Sequence, residues 1–383
     1  MRENIKVLSI GTDKKLFEEG SAVALRQIAY GKKMEELHIV VFTTRTTKKN
    51  SSIKNINLSD NVFLYPTNSF SRWFYIFDAM RIGKKILNER LFSPQNSIIT
   101  CQDPFESGLT GFFLAKRFSM RLHLQIHTDF LSPYFNRGFL NKIRVFIAKF
   151  IISKAYRIRV VSKRIRDSLS KEKIKLQNPV QILPIRIDIE SMRAGSPEDS
   201  LRVYFPEFTN IVFMASRLTK EKRVNDALCS FKKVLEDFPL AGLVIAGDGP
   251  EMNNLKKMAN ELGIYKSVRF MGWQKNVASL MSSTDVFFST SEYEGYGMSL
   301  VEAGLALCPI VSTDVGISGE ILKDGLNSFV CPVRNISCFT EKIKELLADS
   351  ALRGTLSGRL NSDIRGSIPT VEEYMTLFID GLK

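Results

Sequence analysis

Ser291-Glu-Tyr-Glu-Gly-Tyr-Gly-Met-Ser-Leu-Val-Glu302-Ala-Gly304 follows the apolar run of residues 285–290. A strand, a glycine turn and a helix in that order make a layout that receives an anion. Gly295 and Gly297 allow a ligand close to the backbone, and the first unpaired N–H groups of a helix starting near Met298 point at whatever sits above the strand end. Glu302 lies about one turn into that helix, where its carboxylate accepts hydrogen bonds from vicinal hydroxyls such as those of a ribose. Glu294, ahead of the turn, reaches a group beyond the phosphate. The plainer reading, a solvated loop with two unrelated glutamates, is set aside by what the rest of the chain supplies.

Upstream, Ala215-Ser-Arg217-Leu-Thr-Lys-Glu-Lys222-Arg-Val224 follows the apolar run 211–215. Arg217 and Lys222 flank a turn at a strand's carboxyl end, where a guanidinium and an ammonium together neutralise a diphosphate. Either alone reads as a surface ion-pair former. Both motifs sit in an alternation of short β-rich runs with helix-length segments that spans the chain. Strands are expected at 5–10, 38–43, 62–65, 98–100, 122–127, 158–162 and 181–183, then at 211–215, 242–246, 267–271, 286–289, 309–312 and 328–331. The expected class is α/β, with two parallel sheets in tandem. Such sheets bind ligands at the carboxyl ends of their strands, around a common crevice. Ala194-Gly-Ser-Pro-Glu-Asp-Ser200 is the best linker candidate.

A chain of 383 residues that is 44% hydrophobic fills two cores. Its net charge of +14 belongs to one half: residues 1–200 hold 34 basic and 18 acidic side chains, whereas the remainder holds 20 and 22. No run approaches the roughly 18 apolar residues of a spanning helix. The start lacks the apolar core and cleavage site of a signal peptide, so a cytoplasmic protein is expected. Five cysteines without a CxxC pair argue against both a disulfide framework and a zinc cage, and read as reduced thiols. The turn Gly247-Asp-Gly-Pro-Glu-Met252 lacks the third glycine of a dinucleotide fingerprint, and no GxxxxGK[ST] loop occurs. The chain has no Asp-x-Asp triplet to hold a divalent ion against a diphosphate, so no metal and no other cofactor is expected.

The Glu294-x7-Glu302 spacing, Ser216-Arg217-x4-Lys222, the Gly247-to-Glu251 turn and Val268-Arg-Phe-Met-Gly272 resemble, in order and spacing, the retaining family 4 glycosyltransferases. The likeness is specific over about 210–330 and weaker before. It implies a GT-B fold, two Rossmann-like domains facing each other across a cleft. The implied division is 1–195 for an acceptor-binding domain, 196–206 for a linker and 207–365 for a nucleotide-sugar domain, with 366–383 a helix returning to the first domain.

The resemblance implies that Glu302 binds the nucleotide ribose, Glu294 the donor-sugar hydroxyls, and Arg217 with Lys222 the diphosphate. Backbone groups at Gly295, Gly297, Met298 and Ser299 add contacts to sugar and phosphate, and Met271 and Gly272 meet the base. In the N-terminal half, Gly20 is similar to the family's glycine loop, although a single glycine replaces the usual pair, and His127 resembles the histidine near the reacting sugar. His38 and His123 gain nothing. Glu320, in Gly316-Ile-Ser-Gly-Glu320, either orients a basic group or caps a following helix.

The expected activity is retaining transfer of a sugar from a nucleotide-diphosphate donor to a lipid-linked or growing glycan in polysaccharide or envelope biosynthesis. The alternatives are a soluble acceptor such as a sugar phosphate, a sugar-nucleotide epimerase, or a silent donor-binding protein. Residues 132–176 carry 13 Lys/Arg and 2 acidic side chains, with Phe139, Ile143, Phe146, Ile147 and Phe150 at helical spacing, and residues 71–85 mix aromatic and basic side chains similarly. Both suit a helix lying on an anionic leaflet, the inner face of the cell membrane, unless the apolar stripes pack on the sheet instead. Nucleic acid is not an expected partner, since no recognition module accompanies the charge.

Overall fold

The apolar runs become strands buried on both faces, as parallel sheets require. The structure, a computed structural model, describes residues 3–45, 53–187, 189 and 200–383. The chain divides into two units, Met1–Pro184 with Thr370–Lys383, and Ile185–Pro369. The first unit carries β1 (Lys6–Gly11), β2 (Glu36–Val41), β3 (Ile56–Ser59), β4 (Val62–Pro66), β5 (Ser97–Cys101), β6 (Arg121–Ile126), β7 (Arg157–Val160) and β8 (Gln181–Ile182), in the order β3-β4-β2-β1-β5-β6-β7-β8. All neighbours are parallel except β3, an edge strand antiparallel to β4. The order reverses between β2 and β5, on either side of β1, and right-handed crossovers therefore put the helix Ala22–Gly31 on one face and the helices Tyr75–Glu89, Glu106–Phe118 and Phe139–Ile152 on the other.

The helix Val371–Leu382 completes this unit. A capping box at Thr370 and Glu373 starts it, and its buried stripe of Tyr374, Met375, Phe378, Ile379 and Leu382 closes the core beside β1 and β2. Phe378 stacks on Tyr30 at 4.4 Å between centroids, and the buried Arg159 donates to the Tyr374 hydroxyl at 2.7 Å.

The second unit has β9 (Asn210–Ala215), β10 (Ala241–Ala246), β11 (Val268–Gly272), β12 (Val286–Ser289), β13 (Ile310–Thr313) and β14 (Phe329–Cys331), in the order β11-β10-β9-β12-β13-β14, all parallel. Its core runs from Val212 and Phe231 to Phe288, Phe339 and Leu346. The order reverses at β9 and β12, which places the topological switch point of this sheet between the two strands whose following loops hold Arg217, Lys222, Glu294 and Glu302.

Three expectations change. Residues 194–199 of the linker candidate lie outside the described residues, but Leu201–Tyr204 is a helical turn with Leu201 fully buried, so 196–206 is not simply a solvated tether. Cys331 and Cys338 form a disulfide, which corrects the reading of all five cysteines as thiols. The chain leaves β14 and folds straight into the helix Ile336–Ala348, whose first turn brings Cys338 back to the strand end. No helix follows Glu320; its neighbours form turns tied by the bridge Ser318 to Leu322, so it caps nothing. No helix among the described residues is long and apolar enough to cross a membrane.

Candidate functional site

In the second unit the loops after β9 and β12 are stitched together. The Thr290 hydroxyl donates to the Lys222 and Arg223 carbonyls at 2.8 and 3.0 Å, and the Glu292 N–H donates to the Glu221 carbonyl at 2.8 Å. These bonds bring Lys222 against Glu294: the ammonium donates to Glu294 Oε1, which also accepts from the Ser291 hydroxyl at 2.9 Å. Two side chains with separate expected roles are therefore paired, both mostly buried. Arg217 stays exposed, with only a loose pairing to Glu221 at 3.9 Å, and its guanidinium is available to an anion.

Gly297 has φ +91°, a left-handed conformation that side-chain-bearing residues rarely adopt, and it starts the helix Met298–Leu305 with no side-chain cap. Leu300 makes the first turn's bond back to the Gly297 carbonyl at 2.9 Å, so the Met298 and Ser299 N–H groups lie ahead of the intrahelical ladder. Glu302 follows one turn on, and no described residue donates a hydrogen bond to its carboxylate. Burial alone pushes its pKa up to about 7. A half-buried carboxylate without a partner is suited to a ligand's hydroxyls.

The base-side residues reach the same edge. A Cβ on Gly247 would lie 1.8 Å from the Ser216 carbonyl oxygen, so only glycine lets the turn after β10 sit against the Arg217 loop. Gly247 donates to the Gly272 carbonyl at 2.7 Å, and Gln274 holds the Met271 carbonyl at 2.9 Å, leaving Trp273 exposed beside them.

One charged cluster was not legible from spacing. Glu292, buried, accepts from Arg334 Nε at 2.9 Å and from its Nη2, with Arg223 Nε at 3.8 Å. Arg334 holds a left-handed φ of +68° in the loop closed by the Cys331–Cys338 disulfide. Glu292 lies within the quoted stretch, but nothing in the sequence ties it to a partner 42 residues on. Between Glu292 and Glu294, Tyr293 has its pKa pushed up to about 12 by burial and by the charges of Glu221, Glu292 and Glu294.

Gly20 and His127 belong to the first unit, as do His38 and His123. Gly20 is exposed with φ +69°, directly before Ser21, whose hydroxyl caps the helix Ala22–Gly31. His127 follows β6. Burial, then the charges of Arg159 and Arg26, push its pKa down to about 3, so it is a neutral imidazole at pH 7. His123 bonds the Thr100 hydroxyl at 2.8 Å, and His38 bonds Tyr65 and Glu36, as structural side chains do. Among the described residues no group of three or more His, Cys, Asp or Glu side chains could hold a metal ion.

Comparison with known proteins bears on the family and the fold. Residues 198–359 match the family model described as Glycosyl transferases group 1. The chain is 29% identical over 180 residues, 46% of its length, to the N-acetyl-alpha-D-glucosaminyl L-malate synthase of Bacillus anthracis. It is 27% identical over 244 residues, 60% of its length, to the alpha-monoglucosyldiacylglycerol synthase of Streptococcus pneumoniae. It spans about half the length of these curated relatives, 47% and 54% respectively. The crystal structure of Anabaena HepE in complex with UDP and glucose superposes with a TM-score of 0.77 over 99% of both chains at 18% identity, a likeness of fold. The chain thus has the GT-B fold, and its residues 198–359 are similar to the glycosyl transferases group 1 family.

Proposed function

We propose that the protein is a retaining glycosyltransferase that moves a sugar from a nucleotide-diphosphate donor to a lipid-linked or growing glycan acceptor at the inner membrane face. The observation that carries the reading is the arrangement around the loops after β9 and β12: an exposed guanidinium, a Lys222–Glu294 pair, an uncapped helix start and the unpartnered carboxylate of Glu302. A nucleoside diphosphate sugar presents hydroxyls at both ends and two negative charges between them. Glu302 accepts from the ribose. Arg217, Lys222 and the Met298 and Ser299 N–H groups take the diphosphate. Glu294 exchanges its bond to Lys222 for the sugar hydroxyls, with Gly295 and Gly297 admitting the sugar to the backbone, while Met271 and Gly272 border the base.

The acceptor hydroxyl attacks the anomeric carbon from the face the diphosphate leaves. The departing phosphate oxygen takes its proton through an oxocarbenium-like transition state. The protein contributes charge and position rather than a nucleophile, and its cations and helix start serve where other transferases use a metal. The roles of His127 with the sugar and of Gly20 with a phosphate or acceptor oxygen rest on the family resemblance. The name of the pneumococcal relative supports a lipid acceptor. The disulfide removes the thiol argument for a reducing compartment, so the inner-face placement rests on the donor, whose diphosphate does not cross a bilayer unaided.

The test is a thermal-shift panel of UDP, GDP and ADP with their sugars, followed by product analysis with and without a lipid-linked acceptor. One nucleotide family should raise the melting temperature, since a ligand that binds only the folded state stabilises it. No response to any of them overturns the proposal, and sugar-nucleotide isomerisation without an acceptor replaces it with an epimerase.

A further inference from the structure

The first unit exposes an apolar surface that its own packing does not account for. The helix Phe139–Ile152 is apolar on two sides. Val145, Ala148, Ile151 and Ile152 are buried, while Phe139 and Phe146 on the outer side are 78% and 76% exposed. On the helix Tyr75–Glu89 and the turn before it, Phe77 and Trp73 are 70% and 81% exposed. Scattered apolar residues are ordinary on a protein surface, but these belong to one supported group. The helix Glu106–Phe118 packs on both others. Gly83 of the first sits against Leu114, and Phe112 meets Phe150 of the third edge-on at 5.3 Å. Handedness has already put all three on one face of the sheet.

The charge around these aromatics is predominantly positive, although Asp78 and Glu89 pair with Arg81 and Lys85 on their own helix. Residues 130–166 contain ten Lys or Arg and no Asp or Glu. Exposed Lys142 lies between Phe139 and Phe146, and Arg81, Lys84 and Lys85 are exposed on the helix that follows Trp73. A second copy of the chain would bring two such fields together and be repelled. An anionic leaflet attracts the cations and takes the rings into its headgroup layer.

We propose that this three-helix face docks on an anionic lipid surface, with Trp73, Phe77, Phe139 and Phe146 inserted and Arg81, Lys84, Lys85 and Lys142 at the lipid phosphates. The inference deepens the membrane-face part of the proposed function and rests on that reading for its purpose, though not for its geometry. Flotation of the full-length protein with phosphatidylcholine vesicles, with and without phosphatidylglycerol, tests it. The protein should float with the anionic vesicles at low salt and be released as salt rises. The double variants Trp73→Ser/Phe77→Ser and Phe139→Ser/Phe146→Ser should bind at least about tenfold more weakly. All four side chains are exposed, so the melting temperature and the nucleotide-induced shift should stay as in the wild type. Failure of the wild type to float, or double variants floating like the wild type, overturns the proposal. So does a lipid-free dimer that the double variants abolish, because a second copy would then cover the face. The arms are separable: vesicle binding without any nucleotide response sinks the donor reading and leaves this one standing, and the reverse result does the opposite.

Discussion

Glu302→Gln isolates the carboxylate to which the proposed function assigns the donor ribose. In the folded protein burial holds this group at about 7, against an ordinary value of 4.5. Its folded pKa is raised, so between those values the native state keeps a proton the unfolded chain has lost. Stability therefore falls as pH rises through that window, and the whole cost is present above pH 7. The difference corresponds to roughly 3 kcal/mol. Gln carries no charge, so the unliganded variant should melt several degrees above the wild type at pH 8, and the advantage should vanish near pH 4.5. Binding should run the other way. Ribose hydroxyls favour the ionised carboxylate, which is about nine-tenths populated at pH 8 and about one-tenth at pH 6, so wild-type affinity should fall roughly tenfold across that interval. Titration calorimetry with an intact nucleotide sugar reads this directly, because a diphosphate diester does not itself titrate there. His123 and His127 do not interfere, because burial and neighbouring cations push both down to about 3. A wild-type affinity that is flat from pH 6 to 8, or a Gln variant that keeps the slope, refutes the assignment.

Arg217→Ala should lower turnover by orders of magnitude with little change in melting temperature, since the side chain is exposed; wild-type-like nucleotide release would remove Arg217 from the site. Arg334→Ala removes both guanidinium hydrogen bonds to the buried Glu292 and should cost about 2 kcal/mol in urea unfolding. Adding Glu292→Gln should restore most of that loss, and strict additivity of the two changes would mean that the pair is not coupled. Cys338→Ser opens an eight-residue loop and, on chain entropy, should cost about 2.5 kcal/mol under oxidising conditions, with no cost when both proteins are measured in a dithiol reductant.

The sheets were legible because strands of a parallel sheet are buried on both faces, so most are short runs dominated by apolar residues, several of them ending at or beside Gly, Ser or Thr. The exception proves the reason: β3, Ile56–Ser59, is a short polar edge strand of sequence Ile-Asn-Leu-Ser, paired on one side and antiparallel, and carries no such signal. The unit boundary at Pro184 and Ile185 lies upstream of the Gly/Ser/Pro-rich stretch, because composition marks turn-forming residues and not where a chain's packing partner changes. The residues that meet at the loops after β9 and β12 were legible because glycine positions and charge spacing are local. Their pairing was not: Lys222 meets Glu294 only because β9 and β12 are neighbours, and Arg334 reaches Glu292 only because the loop after β14 returns to that edge. The aromatic stripe on 139–152 was readable as a stripe, but only packing shows that a second apolar stripe on the same helix faces the sheet and leaves the aromatics outside.

The Lys222–Glu294 pair has a consequence for how the site discriminates. Without a donor each charge satisfies the other, so neither is left desolvated and unpaired, which would destabilise the loops. A phosphate alone can compete for Lys222 but abandons Glu294, and a free sugar can compete for Glu294 but abandons Lys222. Either would leave one mostly buried charge without its counter-ion, Glu294 keeping only the Ser291 hydroxyl, at a cost that offsets much of the new contact. Only a ligand that brings an anion and a set of hydroxyls in one molecule repays both, so the exchange favours the intact nucleotide sugar over its fragments. On the proposed function, the site would select its substrate through what the resting protein already has bonded, and the binding energy of nucleotide and sugar together should exceed the sum that either part achieves alone.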